Sequence, residues 1–190
     1  MFTRRTLAVA GVGVLVIMAT ALPSPAQLPT FGVGRTPTAE EIKAWDVTIP
    51  ADGKGLPPGS GTAALGEPIF TTRCASCHGA KGDDGKYDRL VGGRGTLATD
   101  KPLLTVGSFW HHATTLWSYI RRAQPLDEPG SLTADEAYAV TAYLLYLNGI
   151  IGENDVMDAT TLPQVSMPNR DGFVPDPRPD VGKPAKAGNR

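Results

Sequence analysis

The stretch Cys74-Ala75-Ser76-Cys77-His78 decides the interpretation of this sequence. Two thiols three positions apart lie on one side of a helical turn, where both can reach the same flat ligand. The histidine that follows can bind a metal ion from the same anchor. This spacing is the attachment signature of c-type haem. The sequence therefore predicts one covalent haem c held by Cys74 and Cys77, with His78 as an iron ligand.

Other uses of the two cysteines fit less well. A dithiol redox pair is expected beside strands and a parallel sheet, for which the sequence gives no pattern. A zinc site would need further ligands, and only His111 and His112 are left to supply them. A plain disulfide explains neither His78 nor the glycine-rich segment after it. These three uses stay open as alternatives to haem attachment.

The N-terminal segment, residues 1–26, reads as an export signal. A basic start at Arg4-Arg5 precedes an uncharged apolar run from Leu7 to Leu22, and Ser24-Pro25-Ala26 offers small residues for cleavage. The run is short for a membrane span, so a retained anchor is the weaker alternative and we expect no span in the mature protein. Because haem is attached outside the cytoplasm, we expect a periplasmic protein.

Composition excludes several classes of partner. Removal of the signal leaves 164 residues, enough for one ordinary domain. It also leaves 16 basic and 19 acidic residues, a net charge of −3, with no block of Lys and Arg. We therefore expect no binding to nucleic acid or to an anionic membrane surface.

Apolar periodicity and capping signals predict a mostly α-helical fold. Thr133 and Glu136 have the spacing of a capping box, and Asn148-Gly149 is a typical helix end. Pro125 ends the preceding helix. We predict helices near Thr38 to Asp46, from Ala64 to Ser76, through Leu116 to Arg122, and from Leu132 to Leu147.

Glycine and proline predict long loops elsewhere. Ala51 to Gly61 is expected to be an irregular loop, and Gly79 to Thr99 to wrap around a ligand. No strand pattern is visible. The predicted organisation is a signal peptide (1–26), an N-terminal arm and loop (27–62), a haem-binding domain (63–152), a strap over the haem (153–175) and a disordered tail (176–190).

The chain resembles a class I monohaem cytochrome c. The resemblance rests on Gly66, Phe70, the haem motif, the glycine-rich loop and the closing helix. The resemblance implies that the helix with Gly66 and Phe70 crosses the closing helix. Glycine would let the two backbones approach there, and Tyr143 or Tyr146 would fill the crossing. It implies electron transfer, without catalysis by the chain on its own.

A narrower resemblance covers roughly Glu41 to Val181. Several phrases, in their order, are similar to the cytochrome subunit of bacterial sulfite and sulfane (sulfur-oxidising) dehydrogenases: Leu56 to Gly61, Thr105 to Trp110, Ala113 to Leu116, Tyr119 to Ala123, and Met167 to Phe173. The resemblance implies a molybdenum-containing dehydrogenase subunit as electron donor and a downstream cytochrome or oxidase as acceptor.

The sixth iron ligand is not where the class I family has it. That family usually takes it from a Met-Pro pair before the closing helix, and this chain has Gln124-Pro125 there. After signal removal only Met157 and Met167 remain. We expect Met167, which begins the stiff segment Met167-Pro168, to be the ligand. Gln124, Met157 or no ligand are the alternatives.

Arg94 lies in the glycine-rich loop, where a guanidinium could pair with a haem propionate. The alternative is a solvated loop arginine. For the protein as a whole, two further functions stay open. One is a general periplasmic shuttle or a subunit of another dehydrogenase, and the other is a haem enzyme or sensor with an open iron site.

Overall fold

The computed structural model describes residues 31–176 and Arg178. The chain divides into two units, one that ends at Ala39 and one that begins at Glu40. The expected signal peptide lies outside the described residues, as does nearly all of the expected tail. Within the described part, no helix is both long and apolar enough to cross a membrane.

Helices are the main regular elements among the described residues, as predicted. The elements in chain order are α1 (Ala39–Trp45), β1 (Ser60–Gly61), α2 (Ala63–Arg73), α3 (Ala75–His78), α4 (Ala113–Ala123), α5 (Ala134–Leu147), β2 (Met157–Asp158) and a 3-10 helix (Leu162–Gln164). Each of the four predicted helices is present. The second is interrupted at Cys74 and resumes as α3.

The crossing of α2 and α5 forms the centre of the fold. A Cβ atom on Gly66 would overlap the carbonyl oxygen of Ala139, so only glycine lets the two backbones come this close. Phe70 is fully buried one turn later, and its ring lies 5.4 Å from that of Tyr143. The predicted crossing is therefore confirmed, with Tyr143 as the aromatic that fills it, whereas Tyr146 is exposed.

The ends of α5 follow the predicted caps. The Thr133 hydroxyl accepts a hydrogen bond from the Glu136 backbone N–H at 3.2 Å, and the Thr133 N–H donates to the Glu136 carboxylate at 2.7 Å. At the other end, Gly149 adopts a positive φ of 64° after the Asn148 cap. This reciprocal cap satisfies two N–H groups that helix formation would otherwise leave unpaired.

A short antiparallel pairing joins the N-terminal loop to the C-terminal strap. Ser60 pairs with Asp158 and Gly61 with Met157, so the segment expected to be wholly irregular contains β1. Two-residue strands are too short to produce an alternating pattern, so they leave no signal in the sequence. Gly61 packs directly on Ala139, so the pairing lies against α5.

The loop before β1 covers one face of α4. The Ile49 N–H donates to the Ser118 hydroxyl at 3.1 Å, and the Thr114 hydroxyl donates to the Ala51 carbonyl at 3.2 Å. The 3-10 helix of the strap also packs against α4. Loop, strap and helices therefore share one unit and one core.

Candidate functional site

The two cysteines lie at the junction of α2 and α3. Cys74 occupies the break between the helices and Cys77 lies one turn later; both are half-buried free thiols. Burial raises the pKa of the Cys74 thiol to about 11, although the nearby Arg73 charge opposes this. A reactive dithiol pair needs a lowered thiol pKa, so this environment disfavours the redox-pair alternative.

The ring of His78 is held by one hydrogen bond. Its Nδ1 lies 2.9 Å from the backbone carbonyl oxygen of Asp88, which can only accept. Nδ1 therefore carries the proton and donates it, which leaves the lone pair on Nε2 free to bind a metal. The histidine is thus oriented as a metal ligand by a backbone partner.

Glycines let the loop after α3 double back to supply that carbonyl. Gly79 has a φ of 84°, in the region that side chains disfavour. A Cβ atom on Gly85 would overlap the backbone of His78, so the loop passes directly against the helix end. The Tyr87 N–H then donates to the Cys77 carbonyl at 3.0 Å, which fixes the segment that carries Asp88.

A cavity of about 780 Å³ lies beside these residues. Cys74, Cys77 and His78 form part of its wall. Most of the remaining wall is apolar, and α2, α4, α5 and the intervening loops contribute to it. These apolar residues are Phe70, Leu90, Leu104, Val106, Trp110, Leu116, Ile120, Leu126, Leu132, Val140 and Leu144.

These features fit a haem group. The volume lies within the range of roughly 300–1,000 Å³ that is common for cofactor sites, and the apolar walls suit a porphyrin face. Two free thiols and an imidazole with its Nε2 unprotonated form a donor set at one end of the cavity. Cys74, Cys77 and His78 are therefore brought together as the sequence predicted.

Gln124 and Pro125 form another part of the cavity wall. Gln124 follows the last residue of α4 and has an extended backbone, as expected for a residue that precedes proline. Its side-chain nitrogen donates to the Tyr119 hydroxyl at 3.3 Å. The rings of Trp110 and Tyr119 also line the cavity, and their centroids lie 5.6 Å apart.

Met167 is not brought to this cavity. It is 2% exposed and belongs to the core, but it does not line the cavity, and neither does Met157. The reason is the course of the strap. Its 3-10 helix packs on α4, and Pro163 of that helix contacts Gly53 in the loop before β1. The same loop is hydrogen-bonded to Ser118 and Thr114 of α4. Leu116 and Ile120, on another face of the same helix, line the cavity. The strap thus packs against α4 through its 3-10 helix, and its place over the haem stays a prediction.

Arg94 also lies away from the cavity. Its side chain is exposed and donates to the Asn148 carbonyl at the end of α5, at 3.1 Å. Arg73 and Arg89 line the cavity instead. The Arg73 guanidinium donates hydrogen bonds to the Glu128 carboxylate at 2.8 Å and to the Ser131 hydroxyl at 2.6 Å. The Arg89 guanidinium donates to the backbone carbonyl of Asp83 at 2.5 Å. Neither of these two arginines lies in a motif that would have distinguished it in the sequence.

His111 and His112 give no support to a zinc site. The centroids of their rings lie 4.6 Å apart, and neither residue lines the cavity. Burial, then the charges of His111 and Arg170, lower the pKa of His112, while Asp171 opposes this. Nowhere among the described residues do three or more His, Cys, Asp or Glu side chains gather as a metal site.

Comparison with known proteins gives three matches. The family model for cytochrome c matches residues 63–148, from the first residue of α2 to the cap of α5. The structure is similar to that of the sulfane dehydrogenase SoxCD from Paracoccus pantotrophus, with a TM-score of 0.71 and 37% identity over 85% of this chain and 83% of that chain.

The third match is the thiosulfate dehydrogenase of Stutzerimonas stutzeri (strain A1501). It is 34% identical over 93 residues, which cover 46% of this chain and 28% of that protein. The chain thus spans little more than a quarter of this relative's length.

Proposed function

This chain belongs to the cytochrome c family, and we propose that it accepts electrons from a molybdenum-containing subunit that oxidises sulfite or a protein-bound sulfane sulfur. The class I fold and the covalent haem c follow from membership in the family, and electron transfer is the function. We further propose that the protein is periplasmic and passes its electrons to a downstream cytochrome or oxidase.

The residues of the site divide the work of holding the cofactor. The haem supplies one-electron chemistry, because its iron cycles between two oxidation states. Cys74 and Cys77 would hold the porphyrin through thioethers, and His78 would bind the iron through Nε2. The apolar walls exclude water from the porphyrin faces. No nucleophile or general base is required of the chain, so we propose that it is not an enzyme on its own.

One observation supports a sulfur-oxidising dehydrogenase as the partner. The similarity to sulfane dehydrogenase SoxCD extends over 85% of this chain at 37% identity. It therefore extends well beyond residues 63–148, which are less than half of the chain. The second relative, a thiosulfate dehydrogenase, is also named for a sulfur substrate. Segments outside the haem-binding helices are the natural contacts for a specific partner.

Reduction by a purified donor tests this partner. The haem-loaded protein is mixed with a molybdenum sulfite dehydrogenase subunit from the same organism and sulfite, and haem reduction is followed by stopped-flow absorbance. We expect reduction much faster than that of an unrelated class I cytochrome of similar potential. Equal rates for the two cytochromes would refute the sulfur partner while leaving electron transfer intact.

The location is tested by fractionation. Cells that express the full chain are separated into periplasmic and cytoplasmic fractions, and the N-terminus of the haem-containing protein is sequenced. We expect a periplasmic protein that begins near Gln27. An uncleaved protein in the membrane fraction would instead support a retained anchor.

A further inference from the structure

The cavity wall presents an amide where a class I cytochrome is expected to present a thioether. Among the described residues there are two methionines, Met157 and Met167, and neither lines the cavity. Gln124 and Pro125 do, at the position of the missing Met-Pro pair. The donor atoms of this wall must therefore come from other residue types.

Helical spacing places Gln124 on the cavity side of α4. Leu116, Ile120 and Gln124 follow one another at intervals of four residues, and all three line the cavity. The Gln124 N–H still donates to the Ile120 carbonyl at 3.0 Å, so the residue stays attached to the helix end. The position of Gln124 beside the cavity is thus set by the end of α4, although its own backbone is extended.

The two ends of the Gln124 amide are not equivalent. Its nitrogen donates to the Tyr119 hydroxyl at 3.3 Å, which leaves the carbonyl oxygen as the free acceptor of the side chain. The Tyr119 hydroxyl accepts this hydrogen bond, and its side chain is exposed. Asp127, which also lines this part of the cavity, is exposed to solvent, whereas Gln124 is half-buried. The amide oxygen is therefore the best placed donor on this wall.

His78 is anchored on a different wall. Its Nδ1 is bonded to Asp88 in the loop that follows α3, whereas Gln124 is bonded to α4. Both side chains line the same cavity, so they are candidates for the two ligands of one iron.

We propose that Gln124, and neither methionine, is the sixth ligand of the haem iron, through its amide oxygen, and that small anions and diatomic molecules can displace it. An amide oxygen is a harder and weaker donor than a thioether, so it favours the oxidised iron and lowers the potential. This inference depends on the haem and not on the sulfur partner.

Spectroscopy of the isolated haem-loaded protein tests the proposal. The variants are Gln124→Met, which restores the Met-Pro pair, Gln124→Leu, which removes the donor, and Met167→Leu as a volume-matched control. For each we would record the weak long-wavelength sulfur-to-iron band of the oxidised protein, the midpoint potential and the dissociation constant for cyanide. A haem-stained denaturing gel and circular dichroism check that each variant is attached and folded.

We expect the wild type and Met167→Leu to lack the sulfur band and to agree in potential and cyanide affinity. Gln124→Met should gain the band, have a higher potential and bind cyanide at least about tenfold more weakly. Gln124→Leu should lack the band and bind cyanide more tightly, because no amide needs to be displaced.

Two results would overturn the proposal. A sulfur band in the wild type that disappears in Met167→Leu would assign the ligand to Met167. A Gln124→Leu protein with the spectrum, potential and cyanide affinity of the wild type would remove Gln124 from the iron, even if Gln124→Met fails to fold. None of these measurements involves the electron donor, so failure of the sulfur partner would leave them unaffected.

Discussion

The His78 ring is oriented by a neutral acceptor. The Asp88 carbonyl holds the Nδ1 proton and adds no full charge next to the metal-binding nitrogen. A carboxylate in the same place would make the imidazole a stronger donor and would lower the potential further. The backbone partner therefore orients His78 without adding a charged hydrogen bond to its Nδ1.

The cysteines give the first prediction. Cys77→Ala leaves one thiol for attachment, so we expect less haem to stay with the denatured protein on a haem-stained gel. The double variant Cys74→Ala/Cys77→Ala should retain none. Ser76→Ala changes an exposed residue between the two thiols and should retain as much haem as the wild type. Free loss of haem from the denatured wild type would contradict covalent attachment.

Side-chain roles that depend on a short motif could be predicted from the sequence, and those that depend on a distant partner could not. The thiols and the imidazole lie within five consecutive residues, so their spacing alone identifies them. The acceptor of His78 is a backbone carbonyl, which every residue possesses. Methionine is the usual donor, which favours Met167, but the position of Met167 depends on how the strap packs. That packing leaves no local pattern.

At the scale of elements, the crossing of α2 and α5 depends on Gly66. We expect Gly66→Ala to lower the free energy of unfolding by about 1–3 kcal/mol, because the new methyl group must push the Ala139 backbone away. Urea denaturation followed by circular dichroism measures this.

Gly152→Ala is the matched control for this crossing. A Cβ atom there would meet the Asp155 carboxylate at 3.4 Å, an ordinary van der Waals distance. Its effect should stay within about 0.5 kcal/mol. Equal stability of the two variants would mean that α2 and α5 can separate without cost.

The cap of α5 predicts a pH-dependent stability. Hydrogen bonds from the backbone and the hydroxyl of Thr133 lower the pKa of the Glu136 carboxyl in the folded protein. A lowered folded-state pKa stabilises the protein above the unfolded-state pKa, about 4.3 for glutamate, and this contribution is lost as the pH falls through the folded value.

We therefore expect Glu136→Gln to be less stable than the wild type at neutral pH, by about 0.3–1 kcal/mol, with the difference disappearing in acid. Urea denaturation at a series of pH values measures it. Glu153→Gln, in the exposed loop after α5, should show a much smaller difference at every pH. A gap between Glu136→Gln and the wild type that persists at low pH would assign the effect to packing instead of charge.

Local signals identified the helices, and the sheet escaped them for a physical reason. The capping box of α5 is contained in Thr133 to Glu136, and apolar spacing does the rest. The β1–β2 pairing joins residues almost a hundred positions apart through two residues on each side. Nothing in either segment reports the existence of the other. The hydrogen bond between Ile49 and Ser118 likewise joins distant residues and leaves no local pattern in the sequence.

At the scale of the whole molecule, the expected boundary at residue 152 divides what the structure joins. The residues after it include four buried apolar side chains that belong to the same core as the haem-binding helices: Met157, Leu162, Val165 and Met167. The strap also carries β2, which pairs with the loop before α2. Residues 63–152 therefore share their core with segments on both sides.

Removal of the strap provides the last prediction. Burial of an apolar side chain of this size contributes about 1.5–3 kcal/mol, so the four together contribute roughly 6–12 kcal/mol. A typical domain has a net stability of only about 5–15 kcal/mol. We expect a chain that ends at Gly152 to lose its cooperative unfolding transition, even with haem attached. A chain that ends at Asp176 keeps all four residues and should unfold at nearly the wild-type urea concentration. If the chain that ends at Gly152 instead unfolds cooperatively at that same concentration, the helices and their haem form an independent domain, and the strap serves only to bind a partner.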